Sequence, residues 1–116
     1  GEMFLVSDAM PPVGGVQSHF RLGDRTIECR DGRCATDDGT LAGSALDMAA
    51  AVRNAVGLLG VPLAEAVRMA TTYPANFLGL GNELGRIAPG CRADFAVLDA
   101  NLEVRETWIG GERQRY

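Results

Sequence analysis

The sequence has little of what most directly announces a function. Only one of its 116 residues, His19, is a histidine, which is too few for a histidine-rich metal centre. Cysteine occurs three times, at Cys29, Cys34 and Cys91, with no Cys-x-x-Cys spacing. An odd count without a pairing motif reads as reduced thiols in a cytoplasmic protein. The eleven Lys and Arg are scattered among fifteen Asp and Glu, for a net charge of −4. No basic cluster interleaves with aromatics, so the phosphate footprint that nucleic-acid binding needs is missing. No apolar run approaches the length of a membrane span. Glu2 stands where a secretory signal carries basic residues, so no such signal is expected. Also missing are a Gly-rich phosphate loop, a nucleophile elbow, a Ser/His/Asp set, internal repeats and low-complexity tracts.

What is present fits a globular domain, with 47% hydrophobic and 22% charged residues. The length suits one domain with a modest core. Position 1 is glycine and a strand-like run begins at once, so the expectation is a piece of a longer chain. Residues 3–7 are continuously apolar and end at Ser7-Asp8, the pattern of a strand buried on both faces. Pro11-Pro12 and Gly14-Gly15 make a loop. His19 to Leu22 and Thr26 to Arg30 read as short strands around Gly23-Asp24. The Asp31-Gly32 turn returns the chain through Arg33 to Thr36. That turn sets Cys29 opposite Cys34 in a non-hydrogen-bonded pair, at a separation a disulfide can span.

Residues 40–46 lead toward a helix, with Ser44 as N-cap and Asp47 three residues on. Leu46, Ala49, Val52, Val56 and Leu59 then share one face, and Gly60 ends the helix. Pro62 suits the first turn of a second helix, whose stripe is Leu63, Ala66, Val67 and Ala70. Tyr73-Pro74 punctuates, and a short helix from Ala75 to Leu78 ends at Gly79 and Gly81. Beyond Gly85 the pattern becomes strands: Arg86 to Ala88, the Pro89-Gly90 turn, the apolar run Phe95 to Leu98, the alternating Val104 to Ile109, and a hairpin through Gly110-Gly111 to Glu112 and Tyr116.

The carboxylate in the most suggestive place is Asp8. It ends a buried strand, where parallel α/β barrels gather catalytic side chains. It also serves as a plain strand terminator that caps a turn, and on the residues alone that reading takes precedence. The stretch Thr40 to Ser44 offers backbone groups near a ligand, with Gly43 permitting close approach, or is simply a lead into a helix. Asp37-Asp38 could hold a hard cation or form a solvated turn. Trp108 and Tyr116 suit core or edge packing.

Several runs together resemble a known family. They are Leu5-Val6-Ser7-Asp8-Ala9-Met10-Pro11-Pro12-Val13-Gly14, Asp38-Gly39-Thr40-Leu41-Ala42-Gly43-Ser44, Ala51-Val52-Arg53-Asn54, Arg68 to Ala75, Leu84 to Asp99, and Thr107-Trp108-Ile109-Gly110-Gly111. In order, and over essentially the whole chain, they resemble the C-terminal third of the N-acetylglucosamine-6-phosphate deacetylase family, within the amidohydrolase superfamily. The Gly85 to Asp99 segment is shared widely in that superfamily. The Ser7-Asp8-Ala9 strand end and Thr40 to Ser44 followed by Val52-Arg53-Asn54 point to the deacetylases.

The resemblance implies an α/β fold: the C-terminal part of a (β/α)8 barrel plus the C-terminal strands of its small β-sandwich domain. Residues 1–84 would hold the last barrel strand (3–8), a hairpin excursion over the site (18–36) and the closing helices (44–59 and 62–78). Residues 85–116 would form the C-terminal segment of the small β domain. It implies removal of the acetyl group from N-acetylglucosamine 6-phosphate, giving glucosamine 6-phosphate and acetate. Asp8 would be the catalytic acid/base, and Leu41, Ala42 and Gly43 would contact the sugar through their backbone. Ala42 stands where relatives commonly carry Ser, which leaves a side-chain hydroxyl contact in doubt. A divalent metal, zinc or similar, would be held by Glu and His residues of earlier strands. None of those ligands lies in this chain, so the chain alone is expected to bind no catalytic metal and to be inactive. Its expected partners are a small amino-sugar phosphate and further copies of itself, in the cytoplasm. Other readings stay open: another amidohydrolase, such as a cyclic amidase or deaminase, or a stand-alone non-catalytic binding module.

Overall fold

Seven short strands and three helices make up the chain in a computed structural model that describes residues 3–115. In order they are β1 (His19–Leu22), β2 (Arg25–Arg30), β3 (Arg33–Thr36), β4 (Leu41–Ser44), α1 (Met48–Gly57), α2 (Leu63–Ala70), α3 (Thr72–Phe77), β5 (Phe95–Leu98), β6 (Val104–Ile109) and β7 (Glu112–Gln114). The strands form two antiparallel sheets, β1-β2-β3-β4 and β5-β6-β7. Residues 6–51 form one compact unit, and the chain through Leu5 together with Val52 onward forms the other. The fold is therefore mixed α/β, with two antiparallel sheets. Gly85 lies in the connection between α3, which ends at Phe77, and β5, which begins at Phe95.

The first unit is a meander. Asp31 and Gly32 both take positive φ, 51° and 81°, which is the backbone a two-residue hairpin turn requires. The turn fixes the register Ile27↔Thr36, Cys29↔Cys34 and Arg30↔Arg33. Ile27, Cys34 and Thr36 of these two strands are buried. Full burial of a side chain such as Ile27 is worth about 1.5–3 kcal/mol. The Cys29 and Cys34 Cα atoms lie 4.0 Å apart and their sulfurs are joined in a disulfide. This corrects the expectation of three reduced thiols: the register predicted by the Asp31-Gly32 turn brings these two within bonding reach. Cys91 remains free.

Two expectations fail in the first half of the chain. Residues 3–7 form no strand, and Met3 and Val6 are 76% and 70% exposed. A strand needs a neighbour's ladder, and among the described residues none is offered along 3–7. Residues 41–44 are a strand rather than the lead into a helix, so the Ser44 cap is corrected as well. The helix begins at Met48, later than the expected 44, and the Asp47 side chain accepts the Ala50 N–H at 2.7 Å in the manner of an N-cap.

In the second unit, Val52, Ala55 and Ala66 are buried together, with Leu5, Val56, Val61, Ala70 and Leu102 packed around them. The expected stripe on α1 is rotated, since Leu59 lies beyond the helix and is exposed. Pro62 precedes α2 rather than opening it, and Met69 joins Ala66 as its buried residues. Tyr73 and Pro74 fall within the first turn of α3, where a missing N–H costs nothing. Gly85 has φ +85°, and a Cβ there would lie 2.7 Å from the Ala75 Cβ and 2.8 Å from the Thr71 carbonyl oxygen. Glycine is thus required where the chain comes back against Thr71 and Ala75. Residues 86–88 are not a strand, and Ile87 is 87% exposed; the Pro89-Gly90 turn is closed by the Cys91 N–H on the Ala88 carbonyl at 3.1 Å. β6 and β7 form the expected hairpin, with Ile109↔Glu112 in register, and β5 pairs with β6, with Phe95↔Trp108 in register. Tyr116 lies outside the described residues.

Candidate functional site

The first unit brings together the segments that hold the candidate residues. Asp8 sits beyond the apolar run in a loop-like stretch, with φ +51°. That is uncommon for a residue with a side chain, although Asp tolerates it better than most. The next residue, Ala9, makes an isolated parallel bridge with Ser44 at the end of β4. Ser44 makes three bonds to this stretch. Its N–H donates to the Asp8 carbonyl at 2.9 Å, and its carbonyl accepts the Met10 N–H at 2.8 Å. Its hydroxyl donates to the Ser7 carbonyl at 2.5 Å and accepts the Leu46 N–H at 3.0 Å.

Gly43 lies against the same segment. It is buried, with φ +144°. A Cβ on it would lie 2.6 Å from the Met10 Cε and 2.9 Å from the Asp8 carbonyl oxygen. Only glycine lets β4 approach Asp8 this closely. The β3–β4 register steps from Cys34↔Gly43 to Ala35↔Leu41, so Ala42 is passed over as the extra residue of a bulge. Leu41 is 65% exposed. The structure thus bonds Asp8 to Ser44 and brings its carbonyl close to Gly43; β4 continues to the unpaired Ala42 and the exposed Leu41. The left-handed Asp8 and the bonds of Ser44 have no sequence signal beyond their place beside Gly43.

The Asp8 side chain is exposed and makes no hydrogen bond or ion pair among the described residues. No group of three or more His, Cys, Asp or Glu among the described residues is placed to hold a metal ion. His19 lies exposed on β1, opposite Glu28. The donor set among the described residues therefore does not fit a metal.

Asp38 is committed to a turn. It accepts the Thr36 hydroxyl at 2.5 Å and the Thr40 N–H at 3.0 Å. The Thr36 hydroxyl first, then Thr40, hold its carboxyl down at about 2. Of the two expectations for Asp37-Asp38, Asp38 follows the turn. An open concavity of about 660 Å³ lies along the β2–β3 hairpin, lined in part by Thr26, Glu28, Arg30, Arg33 and Asp37. It includes neither Asp8 nor residues 41–43. Its Arg30 pairs with Glu28 at 2.8 Å and its Arg33 donates to the Gly39 carbonyl at 2.8 Å, so these cations are engaged locally.

In the second unit, Asp94 and Asp99 have structural work. Arg92 first, then the Gly110 N–H, hold the Asp94 carboxyl below the usual carboxylate range. The Glu103 N–H leads in lowering Asp99, with help from Arg105. Among the described residues, no helix is long and apolar enough to cross a membrane.

A sequence model of the Amidohydrolase family matches residues 26–114. The chain is 42% identical over 108 residues to the N-acetylgalactosamine-6-phosphate deacetylase of Escherichia coli O157:H7, covering 93% of this chain and 29% of that protein. It is similar to the crystal structure of N-acetylglucosamine-6-phosphate deacetylase from Pasteurella multocida, with a TM-score of 0.92 and 34% identity, over 97% of this chain and 30% of that one. It is also similar to the Mycobacterium smegmatis N-acetyl-D-glucosamine-6-phosphate deacetylase, solved as a mutant in complex with N-acetyl-D-glucosamine-6-phosphate (TM-score 0.82, 36% identity, 95% of this chain and 30% of that one). The chain spans 65% of one curated Escherichia coli relative and about 27–30% of the others named in this family.

Proposed function

Because the chain belongs to the amidohydrolase family, we propose that it is the C-terminal part of a deacetylase acting on a 6-phosphorylated N-acetyl amino sugar. The observation that carries the proposal is the bonding of the Asp8 segment to Ser44, with Gly43 permitting the close approach, in a chain related to enzymes of this one reaction type. On this reading, residues 3–8 take their place as the last strand of a (β/α)8 barrel when the rest of the barrel is present, and residues 85–116 supply strands to a small β-sandwich.

Amide hydrolysis needs a group that accepts a proton from the attacking water and returns one to the leaving amine. A carboxylate within hydrogen-bond reach does both. Asp8 is free for that work, since its side chain has no partner among the described residues. Leu41, Ala42 and Gly43 bind the sugar through backbone groups, and Ala42, the bulge residue, is the one left without a register partner for such a contact. The divalent metal implied by the family, zinc or similar, would be held by residues outside these 116.

The expectation from sequence named the glucosamine epimer. Identities of 42% and 45% to galactosamine enzymes, against 32–38% to glucosamine enzymes, favour N-acetylgalactosamine 6-phosphate as a second reading. The test is acetate release by the full-length protein from each epimer. Turnover of one or both supports the proposal, and the ratio of kcat/KM assigns the epimer. Release from neither, by protein loaded with a divalent metal, overturns it.

A further inference from the structure

We propose that Ser44 is a positioning residue for Asp8, aiming its carboxylate by fixing both peptide planes that flank it. The inference rests on the reading of Asp8 as the acid/base. A side chain's direction at Cα is set by the two planar peptide units on either side. The unit before Asp8 carries the Ser7 carbonyl, held by the Ser44 hydroxyl at 2.5 Å. The unit after it carries the Asp8 carbonyl, held by the Ser44 N–H at 2.9 Å. A third bond, from the Met10 N–H to the Ser44 carbonyl at 2.8 Å, ties down the chain beyond.

These bonds matter here because the Asp8 side chain has no hydrogen-bond or ion-pair partner of its own among the described residues, and its φ of +51° lies in a sparsely populated region that persists only when surroundings enforce it. The hydroxyl is itself oriented. It accepts the Leu46 N–H at 3.0 Å, which leaves its proton for the Ser7 carbonyl. Gly43 contributes by omission, since a Cβ there would meet the Asp8 carbonyl oxygen at 2.9 Å.

The backbone bonds of Ser44 survive any substitution, so the hydroxyl is the part that mutation tests. In the full-length protein, S44A and S44V are compared with S44T and with D8N, using acetate release from the amino-sugar phosphate it turns over best. Threonine keeps the hydroxyl, and valine replaces it with a methyl at nearly the same shape. The expected result is a fall in kcat of about tenfold to a hundredfold for S44A and S44V, with KM unchanged within about twofold and S44T near the wild-type rate. Wild-type kcat in S44A and S44V, with D8N inactive, overturns the proposal and leaves the role of Asp8 standing. Loss of the folded state in S44A and S44V, with S44T folded, also overturns it, because the hydroxyl would then serve the fold. Full activity in D8N removes the reading on which the proposal depends.

Discussion

At the scale of single residues, the carboxylates divide by how they are held. Asp38, Asp94 and Asp99 have donors aimed at them and are lowered, Asp38 to about 2. Asp8 has no such donor among the described residues. A carboxyl lowered in the folded state stabilises above its unfolded pKa and loses that contribution as pH falls through the folded value. For Asp38 the window runs from the ordinary value of 3.8 down to about 2. Asp38→Asn should therefore lower the thermal midpoint at pH 5, with the gap to wild type closing by pH 2. A gap of constant size across that range would contradict the role given to Asp38. The turn was legible in Asp37-Asp38-Gly39, while the choice of Asp38 over its neighbour was not, because it depends on where Thr36 and Thr40 come to rest. The left-handed backbone of Asp8 was likewise hidden, since it is set by contacts with β4, more than thirty residues along the chain.

At the scale of elements, local signals succeeded where local rules decide. The Asp31-Gly32 turn fixed the register of its hairpin, and Gly110-Gly111 did the same for β6 and β7. They failed where a partner decides. Residues 3–7 are apolar enough for a buried strand and form none, while Thr40 to Ser44 resembled the run-in to a helix and became β4 by pairing with β3. The cystine is the most testable consequence of the register. It closes a loop of sequence separation 5, which in the chain-entropy picture stabilises by about 2 kcal/mol. Alkylation followed by mass spectrometry should label only Cys91 before reduction and all three cysteines after treatment with a dithiol. The reduced protein should melt at a lower temperature. Labelling of three thiols without reduction would contradict the bonded pair.

At the scale of the whole molecule, the family was legible in runs of residues spread along the chain, and the match to residues 26–114 shows it. The architecture was less legible, because the chain spans about three-tenths of most relatives and a barrel is a property of all its strands together. The sugar epimer was not legible at all, since galactosamine and glucosamine enzymes both match and the candidate contacts at Leu41, Ala42 and Gly43 are backbone groups. What the chain supplies to the proposed site is the Asp8 carboxylate, in a segment bonded to Ser44, beside a glycine that lets the two segments meet. The most direct measurement is the rate of acetate release by the full-length protein carrying Asp8→Asn, at saturating amino-sugar 6-phosphate. The prediction is a fall in kcat of about 10²–10⁴-fold with the fold and KM little changed; turnover at the wild-type rate would contradict it.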